Sequence, residues 1–592
     1  MNTPTKYLIC VLLIFSSFSS QAQRKRPLDF DVYEIWNNIR SQAISNNGKW
    51  AYYNLRPQNN DGRIFLHDLS SRDEKFETFE RGVIPKMTAD SRFLIFKIKP
   101  QADSVREMRR RKVRKNKMPK DSLGIYDMRR DTLVKVPRVK SFAIPEKAGS
   151  WLAYHLEVAL PKKAKPKPEK PDSTQVEEEN PEDPSEVKKT EEEEISEGKG
   201  KKSRKKKEKE EKEAEVIESN ISQVEKPEPT PLELARQKIA ELEGELEEIE
   251  RKKVEAEERK KQAALRKKAK KENAKNGTQL VLRNLLNTRQ DTFAFVKSYA
   301  FDKMGRKLAF ASTGDDSTFK AGVYVYDLEA KSLNLVFPKP GDVKNLSWDE
   351  AGTQLAFVVD TDTSKAHKKA LIKYYDLYYW TEKSKGAELL AKKGSSGIPQ
   401  DWMISAQRRP TFSKDGSKLF FGSHPEPLVK DTTLLKEEVV KVDVWNWRDP
   451  KLQSQQNAQL KQEKERSYLA VVYPRYKRII QLGSKEIPNI RLGNEGNADI
   501  ALGMSDLPYQ QEISWLGYPH KDYYIVNLRD GRRRKILENI RDNVRLSPAA
   551  QYLYWYSAMD STWKTLSIRT GLTYQLNDKM PTKFYDEIKS SR

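Results

Sequence analysis

The sequence has almost no cysteine and little histidine. Its one cysteine is Cys10, and its five histidines are scattered over the 592 residues, at positions 67, 155, 367, 424 and 520. Because Cys10 lies inside an N-terminal apolar run, we expect no disulfide and no cysteine metal site in the mature chain. No two histidines have metal-ligand spacing, and no H-E-x-x-H motif is present. The sequence therefore predicts no metal and no cofactor.

The sequence also lacks the G-x-S-x-G motif, which holds a nucleophilic serine on a strained turn. The nearest segments, Gly394 to Ile398 and Gly503 to Leu507, both lack the closing glycine. We therefore predict no catalytic residue in this chain.

Long hydrophobic runs are missing as well. The one apolar run of note, Tyr7 to Phe18, is shorter than the roughly 20 residues that a membrane span needs. It follows Lys6 and precedes the small-x-small sequence Ser20-Gln21-Ala22, which is the pattern of a cleaved signal peptide over residues 1–23. We expect export to the periplasm or the extracellular space, and no transmembrane segment.

Acidic residues are in deficit, 86 against 110 basic ones, which gives a formal net charge of +24. The basic run Arg109 to Lys117 has no interleaved aromatic residues and matches no nucleic-acid motif, so no nucleic-acid partner is predicted. Residues 160–276 consist largely of Lys, Glu and Pro, a composition that predicts disorder in the first half. Apolar residues three and four apart then predict a charged helix over 231–274, either a solvated single helix or a coiled coil that binds a protein partner.

What the sequence does contain is a repeat. The segment Phe412 to Phe421 has an apolar residue, an Asp-Gly turn and an apolar run, and the same offsets recur from Trp348 and Phe301. Shorter copies start at Ile44, Met87 and Leu546, and two weaker ones near Ile144 and Ile500 bring the candidate units to eight. Asp-Gly or Asn-Gly between two apolar runs predicts a tight hairpin, and a second strand signature follows several copies. Each unit thus has four predicted strands.

The spacing of the units predicts the fold class. Ile44 and Met87 are 43 residues apart, and Phe301 and Trp348 are 47 apart, close to the period of propeller blades. Without residues 160–276, the third unit also has about one blade length. We predict an all-β, seven- or eight-bladed β-propeller formed by 24–159 and 277–592, with 160–276 inserted in the third blade. A short helix is predicted over Leu28 to Ile39.

Several segments resemble one enzyme family. They are the predicted helix with Tyr33 and Trp36, Met118 to Ile125 in the second unit and Val442 to Trp447 in the sixth. With the signal peptide and the repeat, they make the chain similar to the propeller half of exported prolyl oligopeptidases of the dipeptidyl peptidase IV-like branch. The resemblance implies a propeller that caps an α/β-hydrolase domain and admits short peptides to a Ser-Asp-His triad. That domain is expected after the last blade, so its triad has no matching positions before Arg592, and a separately encoded hydrolase domain becomes a candidate partner.

The resemblance also implies one candidate substrate-binding pair. Dipeptidyl peptidases of this family hold the free amino terminus of the substrate with two glutamates, and Glu437 and Glu438 are the candidates here. Beside Lys436 they also fit a solvated strand edge. Two functions stay open: a substrate-gating propeller associated with peptide hydrolysis, and a free-standing periplasmic scaffold for binding or assembly.

Overall fold

A computed structural model describes most of the chain outside the insertion. The described residues are 36–58, 60–70, 75–114, 117–157, 277–315, 319–364, 370–429 and 442–581. They belong to one unit, formed by residues 1–159 and 270–592. The predicted signal peptide and the predicted helix over 231–274 lie outside the described residues.

Antiparallel strands are the main secondary structure of the described residues. The first two sheets have four strands each, in chain order: β1 (Asn37–Ile44), β2 (Trp50–Pro57), β3 (Arg63–Asp68) and β4 (Phe76–Glu80), then β5 (Gly82–Met87), β6 (Phe93–Ile98), β7 (Ser122–Asp127) and β8 (Thr132–Val136). The third sheet has seven strands: β9 (Val139–Ala143), β10 (Trp151–Leu156), β11 (Thr278–Asn284), β12 (Gln290–Phe301), β13 (Lys307–Ser312), β14 (Gly322–Asp327) and β15 (Leu333–Phe337). We number the groups of four strands in chain order. Strand β12 belongs to both the third and the fourth group, because its first half pairs with β11 and its second half with β13.

The remaining sheets repeat this order. They are β16 (Asp342–Trp348), β17 (Gln354–Asp360), β18 (Asp376–Thr381) and β19 (Glu388–Ala391); β20 (Trp402–Ile404), β21 (Thr411–Phe412), β22 (Leu419–Pro425), β23 (Tyr468–Tyr473) and β24 (Arg478–Gln481); β25 (Asn489–Leu492), β26 (Ile500–Ser505), β27 (Lys521–Asn527) and β28 (Arg533–Ile540); and β29 (Arg545–Leu546), β30 (Tyr552–Ser557), β31 (Thr562–Ser567) and β32 (Thr573–Gln575). Both β20 and β21 pair with β22, so together they form one interrupted first strand. The described helices are α1 (Ala102–Arg110), α2 (Gln453–Lys464) and α3 (Ile513–Leu516), with short 3-10 turns at Asn494–Gly496 and Leu507–Tyr509.

Each group of strands packs on the next through an apolar cluster. In β13, Leu308 and Phe310 contact the preceding group, whereas Ala309 and Ala311 contact the following one. Alternate side chains of a strand point to opposite faces, so a strand that is covered on both sides must be apolar throughout. This explains the uninterrupted apolar runs that follow each turn in the sequence. The all-β propeller fold predicted from the repeat is confirmed.

The two ends of each group differ in the length of their connections. Because neighbouring strands run antiparallel, the connections from first to second strand and from third to fourth lie at one end, which we call the turn end. Connections from second to third strand lie at the opposite end, the loop end. The turn end has short connections such as 349–353 and 413–418, whereas the loop end carries the long ones, 99–121, 157–277, 426–467 and 506–520.

Repeated hydrogen bonds explain the repeated sequence at the turn end. Asp349 Oδ1 accepts hydrogen bonds from the backbone N–H groups of Thr353 at 2.8 Å and Gln354 at 2.9 Å. Asp302 Oδ1 likewise accepts from the backbone N–H groups of residues 306 and 307, where β13 begins. Gly305, Gly352 and Gly416 have φ of +69°, +73° and +72°, as predicted for the glycine of this turn. The tight hairpin predicted at Asp415-Gly416 is wider than a two-residue turn, since Ser413 N–H donates to Lys418 O at 2.9 Å and leaves four residues in the loop. The wider loop gives the Ser413 hydroxyl room to accept the Lys418 N–H.

Two further expectations need correction. The helix predicted over Leu28 to Ile39 is wrong at its C-terminal end, because Asn37–Ile44 is strand β1; residues 28–35 lie outside the described residues. Pairing of β1 with β2 supplies hydrogen bonds that a few apolar residues at helical spacing do not reveal. In the seventh unit, Ile500 begins the second strand rather than ending the first, which ends at Leu492.

Candidate functional site at the loop end

The first strands of the groups are basic. Seven groups have a Lys or Arg on the first strand, and the sixth has one between β20 and β21. Apart from Asp291, in the half of β12 that pairs with β11, Asp342 is the one acid on the described first strands. The cations on or directly after the first strands are Arg40, Lys86, Lys140, Lys297, Lys344, Arg408, Arg491 and Arg545. In a propeller the first strands of successive blades lie side by side, so these charges are brought together by the fold.

One cavity of about 580 Å³ collects three of these lysines. It lies at the loop end where β9, β12 and β16 begin or bend, and Lys140, Lys297 and Lys344 line it. Asp342 is the strand acid nearby, but it already accepts the Tyr375 hydroxyl at 2.8 Å and lies 3.7 Å from Lys344 Nζ. Lys140 and Lys297 form no ion pair with any described carboxylate. Glu157 is the second acid of the lining, so three lysines face two carboxylates and the cavity keeps a small excess of positive charge.

A buried histidine forms the wall of this cavity. His155 is 2% exposed, and its Nε2 lies 2.8 Å from Val296 O and 2.7 Å from Thr278 Oγ1. Since the Thr278 hydroxyl itself donates to Leu156 O, both neighbours can accept from a protonated Nε2. Burial, followed by the charge of Lys140, lowers the pKa of His155. The ring is thus a neutral link between β10, β11 and β12 and adds no charge to the cavity.

A second cavity, of about 950 Å³, lies at the same end of the first two groups. Arg56, Arg81 and Arg109 line it and have no ion-pair partner among the described residues. Asp121 also lines it. Burial alone would raise the pKa of Asp121, but hydrogen bonds from Lys99 at 2.8 Å and Lys97 at 3.0 Å lower it overall. That carboxylate is therefore ionised and already neutralised.

A third cavity, of about 1,030 Å³, lies between the sixth and seventh groups. Its cationic lining includes Arg408, Lys461, Arg491 and Lys521, none of which is paired with a described carboxylate. Burial lowers the pKa of Arg408, which shows that its guanidinium is partly removed from water without a compensating acid. An anionic ligand would supply that missing partner.

Next to this cavity is a surface that we call the tryptophan groove. It has a volume of about 240 Å³ and is lined by Trp445, Trp447 and Trp515, which are 72%, 79% and 70% exposed. Contiguous exposed apolar side chains of this size mark interaction sites in soluble proteins. The groove belongs to the connections 426–467 and 506–520, so it also lies at the loop end.

The structure does not test the substrate-binding pair proposed from the sequence. Glu437 and Glu438 lie outside the described residues, and so does His367. Three other histidines have local contacts: His67 stacks on Tyr53 at 5.4 Å, His424 Nδ1 lies 2.7 Å from Pro425 O, and His520 lies 3.8 Å from Glu512. Over the described ranges no three His, Cys, Asp or Glu side chains are arranged to hold a metal ion. The helices described there are also too short or too polar to cross a membrane.

Sequence reasoning missed the basic first strands. A signal was present, because a Lys or Arg precedes each repeat turn by only a few residues, as Arg40 precedes Ile44 and Lys344 precedes Trp348. Along the sequence these residues cannot be told apart from the other Lys and Arg residues, of which there are 110 in all. Only the strand topology shows that they share the first strands.

Comparisons with known proteins find similarity to solved structures alone. No model of a known protein family matches the chain, and no curated protein matches it either. Among solved structures, a eukaryotic initiation factor is 10% identical with a TM-score of 0.37, covering 91% of this chain and 89% of that one. The β-propeller domain of the Trilobed protease from Pyrococcus furiosus, described as having an open velcro topology, is 8% identical with a TM-score of 0.29, covering 85% of this chain and 99% of that one.

A third similar structure is the acylaminoacyl peptidase of Pyrococcus horikoshii, at 7% identity and a TM-score of 0.29. The match covers 90% of this chain and 58% of the peptidase, so this chain is similar to little more than half of that protein. The three similar structures are at most 10% identical to this chain and have TM-scores below 0.5, so nothing about its activity follows from them.

Proposed function

We propose that this chain is an exported, eight-bladed propeller that binds and gates peptides for a prolyl oligopeptidase-like hydrolase and is not catalytic by itself. The blade number counts β12 in two groups. The observation that carries the proposal is the concentration of long connections, cavities and unpaired cations at the loop end. A peptide offers backbone hydrogen-bonding groups and a terminal carboxylate, which suit cavities lined by lysine and arginine.

The chemistry of the described histidines supports a non-catalytic role. Serine catalysis needs a histidine base within hydrogen-bond reach of the nucleophile and donors for the oxyanion. His155 bonds to a backbone carbonyl and to Thr278, and the latter already donates to Leu156. This geometry fixes the histidine within the sheet and activates no hydroxyl.

The test uses the purified chain with alanyl and prolyl dipeptide chromogenic substrates and with a fluorophosphonate probe. We expect no hydrolysis and no labelled serine from the chain alone, together with measurable binding of short peptides by calorimetry. Labelling of one specific serine would overturn the non-catalytic assignment. Hydrolysis that appears only after a separately encoded hydrolase domain is added would support the gating role.

A free-standing binding or assembly scaffold is the second candidate, and the tryptophan groove favours it. Three indole rings exposed by 70% or more provide the aromatic anchors typical of interaction hot spots. In that case peptides would bind without any change in the activity of an added hydrolase domain.

A further inference from the structure

The tryptophan groove and the basic cavity between the sixth and seventh groups are continuous. A small cavity of about 320 Å³ lies between them. It shares Asp449 and Lys451 with the tryptophan groove, and it shares Lys451 and Gln510 with the basic cavity. An extended ligand could therefore contact all three without leaving the surface.

The two ends of this path differ in chemistry. At one end Arg408, Lys461, Arg491 and Lys521 face the cavity without a described acidic partner. Nearer the middle, Arg466 is neutralised by Glu463, which also lies 3.7 Å from Lys451. The unpaired charges thus concentrate in the basic cavity, while the opposite end offers aromatic rings.

The segment that carries two of the tryptophans is held in place by glutamine side chains of α2. Gln456 Nε2 donates to Asp449 Oδ2 at 3.1 Å and to Lys451 O at 2.9 Å, and Gln459 Oε1 accepts from Lys451 Nζ at 2.8 Å. From the facing connection, Gln511 Nε2 donates to Trp447 O at 2.9 Å. Because these hydrogen bonds already fix the segment, its tryptophan rings lose little conformational entropy when a ligand binds.

An arginine also contacts one of the tryptophan rings. The Arg448 guanidinium lies 5.0 Å from the centroid of the Trp447 ring, within the range of a cation–π contact. Arg448 also adds positive charge beside the aromatic end of the path.

We infer that these three connected cavities form one groove for an extended acidic peptide, whose carboxylates face the basic cavity and whose aromatic or large apolar side chain fills the tryptophan groove. The inference rests on the proposed peptide binding and names the class of peptide. An acidic polymer without apolar groups would satisfy the cations alone, and a neutral apolar peptide would satisfy the tryptophans alone. A peptide that carries both groups matches both ends.

The experiment measures peptide binding to the full chain by calorimetry. The probe is a blocked decapeptide with four glutamates and one phenylalanine, compared with one version in which the glutamates are glutamine and another in which the phenylalanine is alanine. Each change should weaken binding about tenfold, since an aromatic anchor or a set of partly dehydrated charge pairs is typically worth that much or more. Binding of the glutamate peptides should also weaken with added salt.

Two variants test which side chains of the groove recognise the phenylalanine and which recognise the glutamates of the peptide. Trp447→Ala should abolish the preference for phenylalanine and keep the preference for glutamate, while the double variant Lys461→Gln, Arg491→Gln should do the reverse. The matched controls are Trp563→Ala, in β31, and Lys383→Gln, an exposed lysine at the turn end. Both controls should bind like the unchanged chain, and thermal melting checks that each variant is folded.

The outcomes separate the two proposals. If the neutral or the phenylalanine-free peptide binds as tightly as the full probe, the groove is wrong while peptide binding stands. The same holds if polyglutamate binds without regard to the tryptophans. Failure of every peptide to bind would overturn both proposals.

Discussion

The turn end and the loop end of the sheets join the same strands, but their connections differ in length and in hydrogen bonding. At the turn end, short connections repeat one hydrogen-bonding pattern from group to group, as at Asp302 and Asp349. At the loop end, connections differ in length from a few residues to more than a hundred, as 157–277 shows. The uniform end stabilises the sheets, and the variable end is free to carry a binding site.

Charge shows the same division. At the turn end Glu350 accepts from Lys147 at 2.6 Å and from Lys303 at 2.7 Å, so lysines from two earlier turns are neutralised. At the loop end Lys140 and Lys297 have no such partner among the described residues. The position of a lysine in the fold, and not only its presence in the sequence, therefore decides whether it is neutralised.

The largest effect is expected at Asp349. Its side chain is 3% exposed, and Asp349→Ala would leave two backbone N–H groups without their acceptor. We expect a loss of about 3 kcal/mol in the free energy of unfolding, because each unsatisfied buried donor is costly. Urea unfolding measures the loss. Asp349→Asn keeps one acceptor oxygen and should lose clearly less; an equal loss would show that the hydrogen bonds are not the cause.

Gly416→Val should have the next largest effect, about 2 kcal/mol, because a β-branched residue is strained at a φ of +72°. A Cβ there would also lie 2.5 Å from Gln354 Nε2, which donates to Gly416 O and links two groups. Gly517 is the matched control at the loop end, with a φ of +76° and open space around its Cα. Gly517→Val should cost less, as measured by melting temperature, and a larger cost there would contradict the division between the two ends.

A smaller effect, about 0.5 kcal/mol, is expected from the partly exposed ion pairs of Glu350. Hydrogen bonds from Lys147 and Lys303 lower the pKa of Glu350 to about 2 from its usual 4.5. A depressed folded-state pKa means that this stabilisation is present above about pH 4.5 and is lost as the pH falls toward 2. Glu350→Gln should therefore destabilise the protein at pH 7 and have little effect near pH 2.

The control for this pH dependence is Glu329→Gln, in another exposed turn. Glu329 forms no ion pair with a described residue, so its replacement should change stability equally little at both pH values. If Glu350→Gln also showed no dependence on pH, the lysine contacts would contribute nothing to stability.

The smallest effect is expected from deleting residues 160–276 and joining the ends with a short Gly/Ser linker. Strands β10 and β11 pair directly, and Thr278 Oγ1 donates to Leu156 O at 2.7 Å, so the ends of the insertion are already adjacent. Changing the length of a loop alters its closure entropy only slowly. The melting temperature should stay nearly unchanged, and loss of a cooperative transition would show that the insertion supports the sheets.

Much of the fold could be predicted from the sequence, because the turn end is encoded locally. The positive φ of Gly305 and Gly416 follows from the need for a residue without Cβ in the turn, and the apolar run from Leu308 to Ala311 follows from burial on both faces. The start of the first strand was misread because Leu28 to Ile39 carries apolar residues at helical spacing, and the pairing of β1 with β2 overrides that local preference.

The candidate site could be predicted far less well. Glu437 and Glu438 were taken from a family resemblance and lie outside the described residues, so that assignment stays a prediction. Trp445 and Trp447 were noticed as part of a motif, but Trp515 is 68 residues from Trp447 and joins them only through the packing of two connections.

The sequence by itself determined the four-stranded repeat, the turns that punctuate it and the apolar runs that let each sheet be covered on both faces. These features depend on a few neighbouring residues, whose backbone angles and side-chain alternation are local properties. The tertiary structure alone decided which charges stay unpaired and which aromatic rings share a groove. Those properties depend on distances between side chains that are far apart in the sequence. Lys140, Lys297 and Lys344 span 204 residues, yet the packed sheets bring them to one cavity.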